Sequence, residues 1–164
     1  MTVITTTLIR GKRVESYLKQ HTRQYNVPQF LEVTKPLHVF KQVKSGVKRV
    51  NAIANLIIPV GAVIYYPYAS LSHLSNQADR KMRASKAFVH SITTYSKRRK
   101  FGNGSVSVAL EDCTSKKNAY SLYDRDFRYR VGRNVYPDRF SMYRDTCTNG
   151  IHFFLNLADA LTYS

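Results

Sequence analysis

This sequence is poor in three things: cysteine, acidic side chains and uninterrupted apolar stretches. Cys113 and Cys147 are its only thiols. They allow one disulfide at most, so the chain is not a disulfide scaffold. Two thiols do not complete a tetrahedral zinc site without histidine, and the five histidines show no paired ligand spacing. Free thiols and no bound metal are the expectation. The longest apolar run, Ile53–Ala69, is interrupted by Pro59, Gly61 and Pro67, whereas a membrane helix needs about 18 or more continuous apolar residues. The opening "MTVITTTLIRGKR" places its basic residues after its apolar ones, the reverse of a secretory signal. The expectation is a soluble, non-secreted protein with no membrane span.

Catalytic signatures are equally scarce. The glycines of "GNGS" and "VGRNV" lack the spacing of a nucleotide-phosphate loop, and neither His-Glu-x-x-His nor Cys-x-x-Cys occurs. Seven of the ten carboxylates (Glu111, Asp112, Asp124, Asp126, Asp138, Asp145, Asp159) sit among the C-terminal arginines, where ion pairing is their expected role. Cys147 and His152 stand five positions apart, a weak pair on its own. With no convergent set of groups the chain reads as non-enzymatic, with no catalytic residue and no cofactor.

What is abundant is positive charge. There are 26 Lys and Arg in 164 residues, for a net +16. Residues 1–50 carry a net +8 and residues 51–100 a net +7, which leaves +1 for the remainder. Such a surface seeks polyanions or an acidic protein.

Hydrophobic period supplies the fold class. In "KRVESYLKQHTRQY", Val14, Tyr17, Leu18, His21 and Tyr25 recur at helical spacing, predicting a short amphipathic helix that stops before Pro28. Residues 2–9 are rich in β-branched types and suit an extended segment or edge strand. From Pro36 the pattern is β: "PLHVFKQV", a turn at Lys44-Ser45-Gly46, "VKRVNAIANLIIP", and a tight turn at Val60-Gly61. Residues 69–81 are polar and Ser-rich and read as a loop or a single helical turn. "KAFVHSITTY" predicts a strand with Ala87, Val89, Ser91 and Thr93 on one face and a packed or half-buried His90 on the other. "DFRYRVG" and "GIHFFLN" read as further strands, and Asn156 as the N-cap of a closing helix that returns Leu157, Ala160 and Leu161 to the core.

The resulting expectation is an α+β, mainly β fold: a small antiparallel sheet or partly open barrel with a short C-terminal helix. Residues 1–35 are expected to form a basic N-terminal arm with a short helix, and residues 36–164 the compact domain.

Two groups of residues are candidate binding surfaces. Arg10, Lys12, Arg13, Lys48, Arg49 and the hairpin run Lys97, Arg98, Arg99, Lys100 with Phe101 suit phosphates, a stacked base or an acidic partner. The run has a plainer reading, as charge that keeps a strand edge soluble. Tyr123, Arg125, Phe127, Arg128, Tyr129, Arg130, Tyr143 and Arg144 interleave rings and guanidinium groups in the manner of a protein interface.

Four segments, "ANLIIPVGAVIYYP", "KMRASKAFVHSI", "YRVGRNVYPDRF" and "CTNGIHFFLNLADALTY", resemble in order an uncharacterised domain of large DNA viruses of eukaryotes and some phages, sometimes found beside pentapeptide repeats. Its pieces are an "IP-x-G-A" turn, "K-C-R-A-x-K-A", "Y-x-V-G-x-x-V-x-P-D" and "C-x-x-G-I-H-F-F-L". The resemblance covers about Leu37 to Tyr163. This chain departs from it at Met82, where the pattern has cysteine, so a link between two family cysteines would be missing here. The resemblance implies provenance rather than mechanism. By analogy with small basic virion proteins, it implies a minor capsid protein of cement or scaffold type, made in the host cytoplasm and incorporated in the virion. Its expected partners are the major capsid protein and other minor capsid proteins. The rival readings are a genome-associated protein that binds genomic DNA, and a small transferase-like enzyme centred on His152.

Overall fold

Alternation of apolar and polar residues turns residues 37–58 into the longest regular hairpin of the described core. In the computed structural model, which describes residues 12–66, 81–102, 105–142 and 149–162, β3 (Leu37–Ser45) and β4 (Val50–Ile58) pair antiparallel without a break, from Leu37↔Ile58 to Ser45↔Val50. Leu37, Val39 and Val43 point inward from β3, and Ala52, Ala54, Leu56 and Ile58 do so from β4. Gly46 (φ 75°) and Arg49 (φ 51°) close the turn, with the Arg49 N–H donating to Gly46 O.

This hairpin is the centre of a seven-stranded sheet in the order β10-β9-β3-β4-β7-β11, with β8 added on β7. Its other members are β7 (Ala87–Gly102), β8 (Ser105–Lys116), β9 (Asn118–Tyr120), β10 (Arg128–Arg130) and β11 (Asn134–Val135). A second sheet, in the order β1-β2-β5-β6-β12, holds β1 (Thr22–Gln24), β2 (Phe30–Val33), β5 (Val63–Tyr65), β6 (Met82–Ala84) and β12 (Ile151–Phe153). The fold is thus α+β and mainly β, with one sheet curled into half a barrel and a short C-terminal helix. Side chains of both sheets meet in one apolar core, Leu56, Val89 and Tyr129 from the first with Ile64, Ala84 and Phe153 from the second. Each such fully buried aliphatic or aromatic side chain contributes roughly 1.5–3 kcal/mol of transfer free energy.

Helix α1 (Lys12–His21) has the predicted stripe, with Val14 and Leu18 buried in the shared core. It ends at His21, earlier than the periodicity predicts, because its end is captured: Thr22 Oγ1 donates to Leu18 O (2.6 Å), and the Thr34 and Lys35 N–H groups donate to His21 O. The expected boundary after residue 35 is therefore corrected. Residues 12–35 supply a helix and two strands to the common core and are not a separate arm. The structural expectations for residues 2–9 and 69–80 and for the Asn103-Gly104 turn lie outside the described residues.

Strand β7 contradicts the simple alternation expected of it. Asn55 pairs with Ser91 while Leu56 pairs with Val89, a bulge that inserts one residue. The inward phase switches there from Ala87 and Val89 to Ile92 and Thr94, and His90 is left exposed rather than packed. The strand also runs on through the basic segment to Gly102. At the other end of the chain the expected cap is present. Asn156 precedes α2 (Leu157–Thr162), accepts the Ala160 N–H at its carbonyl, and donates from Nδ2 to Asp159 Oδ2 at 3.3 Å. Leu157, Ala160 and Leu161 are buried.

Candidate functional site

Two concave, cation-lined places stand out, and different pieces of sequence build them. The first lies at the end of the large sheet. Strands β9 and β10 pair Tyr120↔Arg128, Ala119↔Tyr129 and Asn118↔Arg130. Because Ala119 and Tyr129 are buried, the alternation throws Arg128 and Arg130 outward. Between the strands Asp124 Oδ1 accepts the Asp126 N–H, tightening the loop that carries Arg125. From the neighbouring β3–β4 turn, Arg49 donates from Nη2 to Ser121 O and Leu122 O, both at 3.3 Å. Arg128 lies over the Tyr120 ring at 5.3 Å. The outcome is a groove of about 630 Å³ lined by Arg49, Arg125, Arg128 and Arg130 with Asp126, Tyr120 and the Gly46-Val47 turn. A contiguous hollow adds Lys116 and Lys117.

The groove joins residues from both candidate surfaces: Arg49 from one, Arg125, Arg128 and Arg130 from the other. Lys48 and Tyr123 are exposed nearby in the chain, Tyr123 at 77%. Phe127 is half-buried against the core, and Tyr129 is a correction: at 2% exposure its ring belongs to the core. Burial pushes the Tyr129 phenol far above its ordinary value. Lys116 and Lys117 escaped sequence reading, although a dibasic step beside a predicted strand end was a usable signal. Lys12 and Arg13 open α1, while Lys97, Arg98, Arg99, Lys100 and Phe101 lie on β7 where it pairs only with β8. From residue 96 onward these two strands form a ribbon beyond the sheet. Arg10, Tyr143, Arg144 and Cys147 lie outside the described residues. Cys113 is a free, exposed thiol.

The second place is a seam. Strand β3 is covered along one edge by β4. Its other edge pairs with β9 only at Lys44↔Tyr120, and with Phe154 at Phe40 through two reciprocal N–H···O bonds of 2.9 Å. Between these attachments opens a cleft of about 440 Å³, lined by the cations Lys41, Lys81 and Arg139, the carboxylates Asp124 and Asp138, and Gln42, Ser121, Asn149, Gly150 and His152, over Leu122, Tyr123, Phe127, Pro137 and Phe154. Lys41 occupies the inward phase of β3, in line with Val39 and Val43. Its ammonium donates to His152 O at 3.0 Å. Desolvation, reinforced by the charge of Lys81, lowers its pKa to about 8. Lys81 is itself buried, and His152 is half-buried. Gln42 Nε2 donates to the Tyr95 hydroxyl (3.0 Å), and its Oε1 is buried without a hydrogen-bond partner among the described residues. The transferase reading centred on His152 would use this cleft.

Between seam and core sits a residue around which several of these segments pack. Arg83, on β6, is fully buried. Its guanidinium donates from Nη1 to Ser141 O (2.6 Å) and Asn149 O (2.9 Å), and lies over Tyr65, Phe140 and Phe30 at 4.6, 5.0 and 5.6 Å. Strand β12 pairs with β6 at His152↔Arg83 and Phe153↔Met82. At Gly150 a Cβ would come within 3.0 Å of Arg83 Cβ. The "KMRA", "PDRF" and "NGIHF" segments thus meet around one cation. Met82 is a core side chain opposite Phe153.

Fold and sites together define a strongly basic, two-sheet domain with an arginine groove and a lysine-lined seam. The chain belongs to a protein family of unknown function, DUF5758, whose model matches residues 27–160. It is similar to "Uncharacterized protein L223" of Acanthamoeba polyphaga mimivirus, at 32% identity over 113 residues. That match covers 69% of this chain and 62% of the relative, so the chain spans less than two thirds of the relative's length. A viral relative agrees with the resemblance to domains of large DNA viruses. No solved structure matches. Among the described residues no helix is long and apolar enough to cross a membrane.

Proposed function

We propose that this protein is a non-enzymatic structural component of a virus particle, a minor capsid protein that binds an acidic face of a neighbouring capsid protein. The observation that carries this reading is the groove of Arg49, Arg125, Arg128 and Arg130. Guanidinium groups are planar forks that pair bidentately with carboxylates and stack on rings, which suits them to desolvated interfaces. Tyr123, exposed two residues before Arg125 on the same loop and lining the neighbouring cleft, adds a flat contact of the type enriched at such surfaces. The viral relative supplies the setting.

The test has two parts. Quantitative mass spectrometry of purified particles should find the protein in fixed ratio to the major capsid protein. A variant with Arg125, Arg128 and Arg130 replaced by alanine should fold normally yet lose binding to capsid subunits by tenfold or more. Absence from particles sinks the reading.

A second reading, genome association, is favoured by the β7–β8 ribbon, which carries four consecutive basic residues at Lys97–Lys100. A two-stranded ribbon matches the width of the DNA major groove. It predicts duplex binding whose log–log salt slope is roughly 0.9 per phosphate neutralised. Loss of all DNA affinity at moderate salt separates it from the capsid reading.

A further inference from the structure

The arginine groove borders a sheet edge, and the two features ask for the same partner. Strand β10 ends the large sheet on that side, and among the described strands it pairs with β9 alone. The Ser121 N–H donates to Phe127 O (3.0 Å) and the Val131 N–H to Lys117 O (2.9 Å), so the odd-numbered residues turn their backbone groups toward β9. In an antiparallel ladder the residues between them turn theirs the other way. The edge thus presents the N–H and C=O of Arg128 and the N–H of Arg130, while Arg130 O accepts the Arg133 N–H at 3.1 Å. A row of this kind is a template for another strand.

Side chains decide which strand. Arg128 and Arg130 are exposed on the groove face, and Tyr129 between them is buried on the other. Among the described residues none of Arg49, Arg125, Arg128 and Arg130 is ion-paired. Asp126 also lines the groove, so four guanidinium groups stand against one carboxylate that pairs with none of them. Such charge on an edge turns away neutral and basic strands. It admits a strand that carries carboxylates along one face. Phosphodiesters would suit the guanidinium groups equally well but offer no donor to Arg128 O, whereas a peptide backbone supplies donors and acceptors together.

We propose that β10 takes up an extended acidic segment of a partner protein as an added antiparallel strand, with every second side chain a carboxylate facing Arg128 and Arg130. The inference rests on the reading of the groove as the docking site for a capsid neighbour, and it names the part of that neighbour that binds. Residues directly opposite in such a pair share a face, so the acidic residues turn their own N–H groups toward β10 and the apolar ones fall on the Tyr129 side.

The full chain is titrated, with NMR detection, against a hexapeptide alternating glutamate and valine and against its block isomer of equal charge. Two N-methylated forms of the alternating peptide complete the set. The alternating peptide should bind roughly tenfold more tightly than the block isomer. Methyl groups on the glutamate nitrogens should abolish that advantage, and methyl groups on the valine nitrogens, which face away from β10, should preserve it. Hydrogen exchange at the Arg128 and Arg130 amides should slow in the complex. Arg130→Ala should weaken binding roughly fivefold, and Arg23→Ala, on β1 of the other sheet, should leave it unchanged. Equal binding of the alternating and block peptides, or of the two methylated forms, overturns the added strand. So does an oligonucleotide of the same charge that binds as tightly as the alternating peptide. A protein present in particles yet indifferent to the site of methylation keeps the capsid reading and loses the strand. Strand pairing by a protein absent from particles keeps the acidic strand and removes the capsid neighbour as its source.

Discussion

Arg83 is a fully buried cation and Lys41 a half-buried one, and their surroundings differ in kind. Arg83 is enclosed by three aromatic rings and bonded to two carbonyls of the loop that leads into β12. Lys41 reaches one carbonyl of β12 itself and faces another lysine across a hollow. The first has been given everything a buried charge requires: donors matched to acceptors, and ring faces in place of water. The second is partly desolvated, shares its cleft with a like charge, and has one carbonyl as its hydrogen-bond acceptor. The contrast separates a buried charge that builds the structure from a half-buried one at the wall of an open cleft. A single strand, β12, and the loop before it serve both.

The largest effect should follow from cutting the matched cation. Arg83→Met leaves the carbonyls of Ser141 and Asn149 without their donor and empties the aromatic box, so it should destabilise the fold by about 3 kcal/mol or more in urea unfolding. Arg83→Lys should recover little of this, since an ammonium cannot span both carbonyls and stack on the rings. Next comes Gly150→Ala. The added methyl would meet Arg83 Cβ at 3.0 Å on a backbone with φ of 153°, at a cost of about 1–2 kcal/mol.

The unmatched cation should show itself through pH. The Lys41 pKa in the folded chain, about 8, lies below its ordinary 10.5, so between those values the unfolded chain binds more protons. Stability should therefore rise with pH from about 8 toward 10. Above that, the raised phenols of Tyr66 and Tyr129 act in the opposite direction, because the unfolded chain loses its tyrosine protons first. Unfolding curves of Lys41→Met across the same window should be flatter, and the difference between the two proteins isolates this lysine.

Much of the fold was legible because period carries it. The β3–β4 hairpin, the Val60-Gly61 turn, the outward Arg128 and Arg130, and the Asn156 cap all follow from alternation and turn chemistry. The His90 bulge was not legible, since nothing in "FVHSIT" announces that the inward phase will shift by one residue. The end of α1 was missed because it is set by hydrogen bonds from Thr34 and Lys35, thirteen and more residues downstream of His21. Arg83 was hidden for a similar reason. Its box is assembled from Phe30, Tyr65 and Phe140, three segments whose meeting no local pattern records. Lys41 could have been read. A lysine in phase with Leu37, Val39 and Val43 is a departure from pattern, and departures of that kind concentrate at functional sites. The arginine groove was half legible, its residues named in two separate groups that only the β9–β10 hairpin brings beside the Gly46–Arg49 turn.

The most direct test of the contrast is a side-by-side urea unfolding of wild type, Arg83→Met and Lys41→Met at pH 7 without added phosphate. The account predicts opposite signs: Arg83→Met strongly less stable, and Lys41→Met more stable than wild type by roughly 1–2 kcal/mol, as a desolvated charge is removed and its apolar stem kept. A Lys41→Met protein destabilised to the same degree as Arg83→Met would show that both cations are structural, and would contradict the central claim.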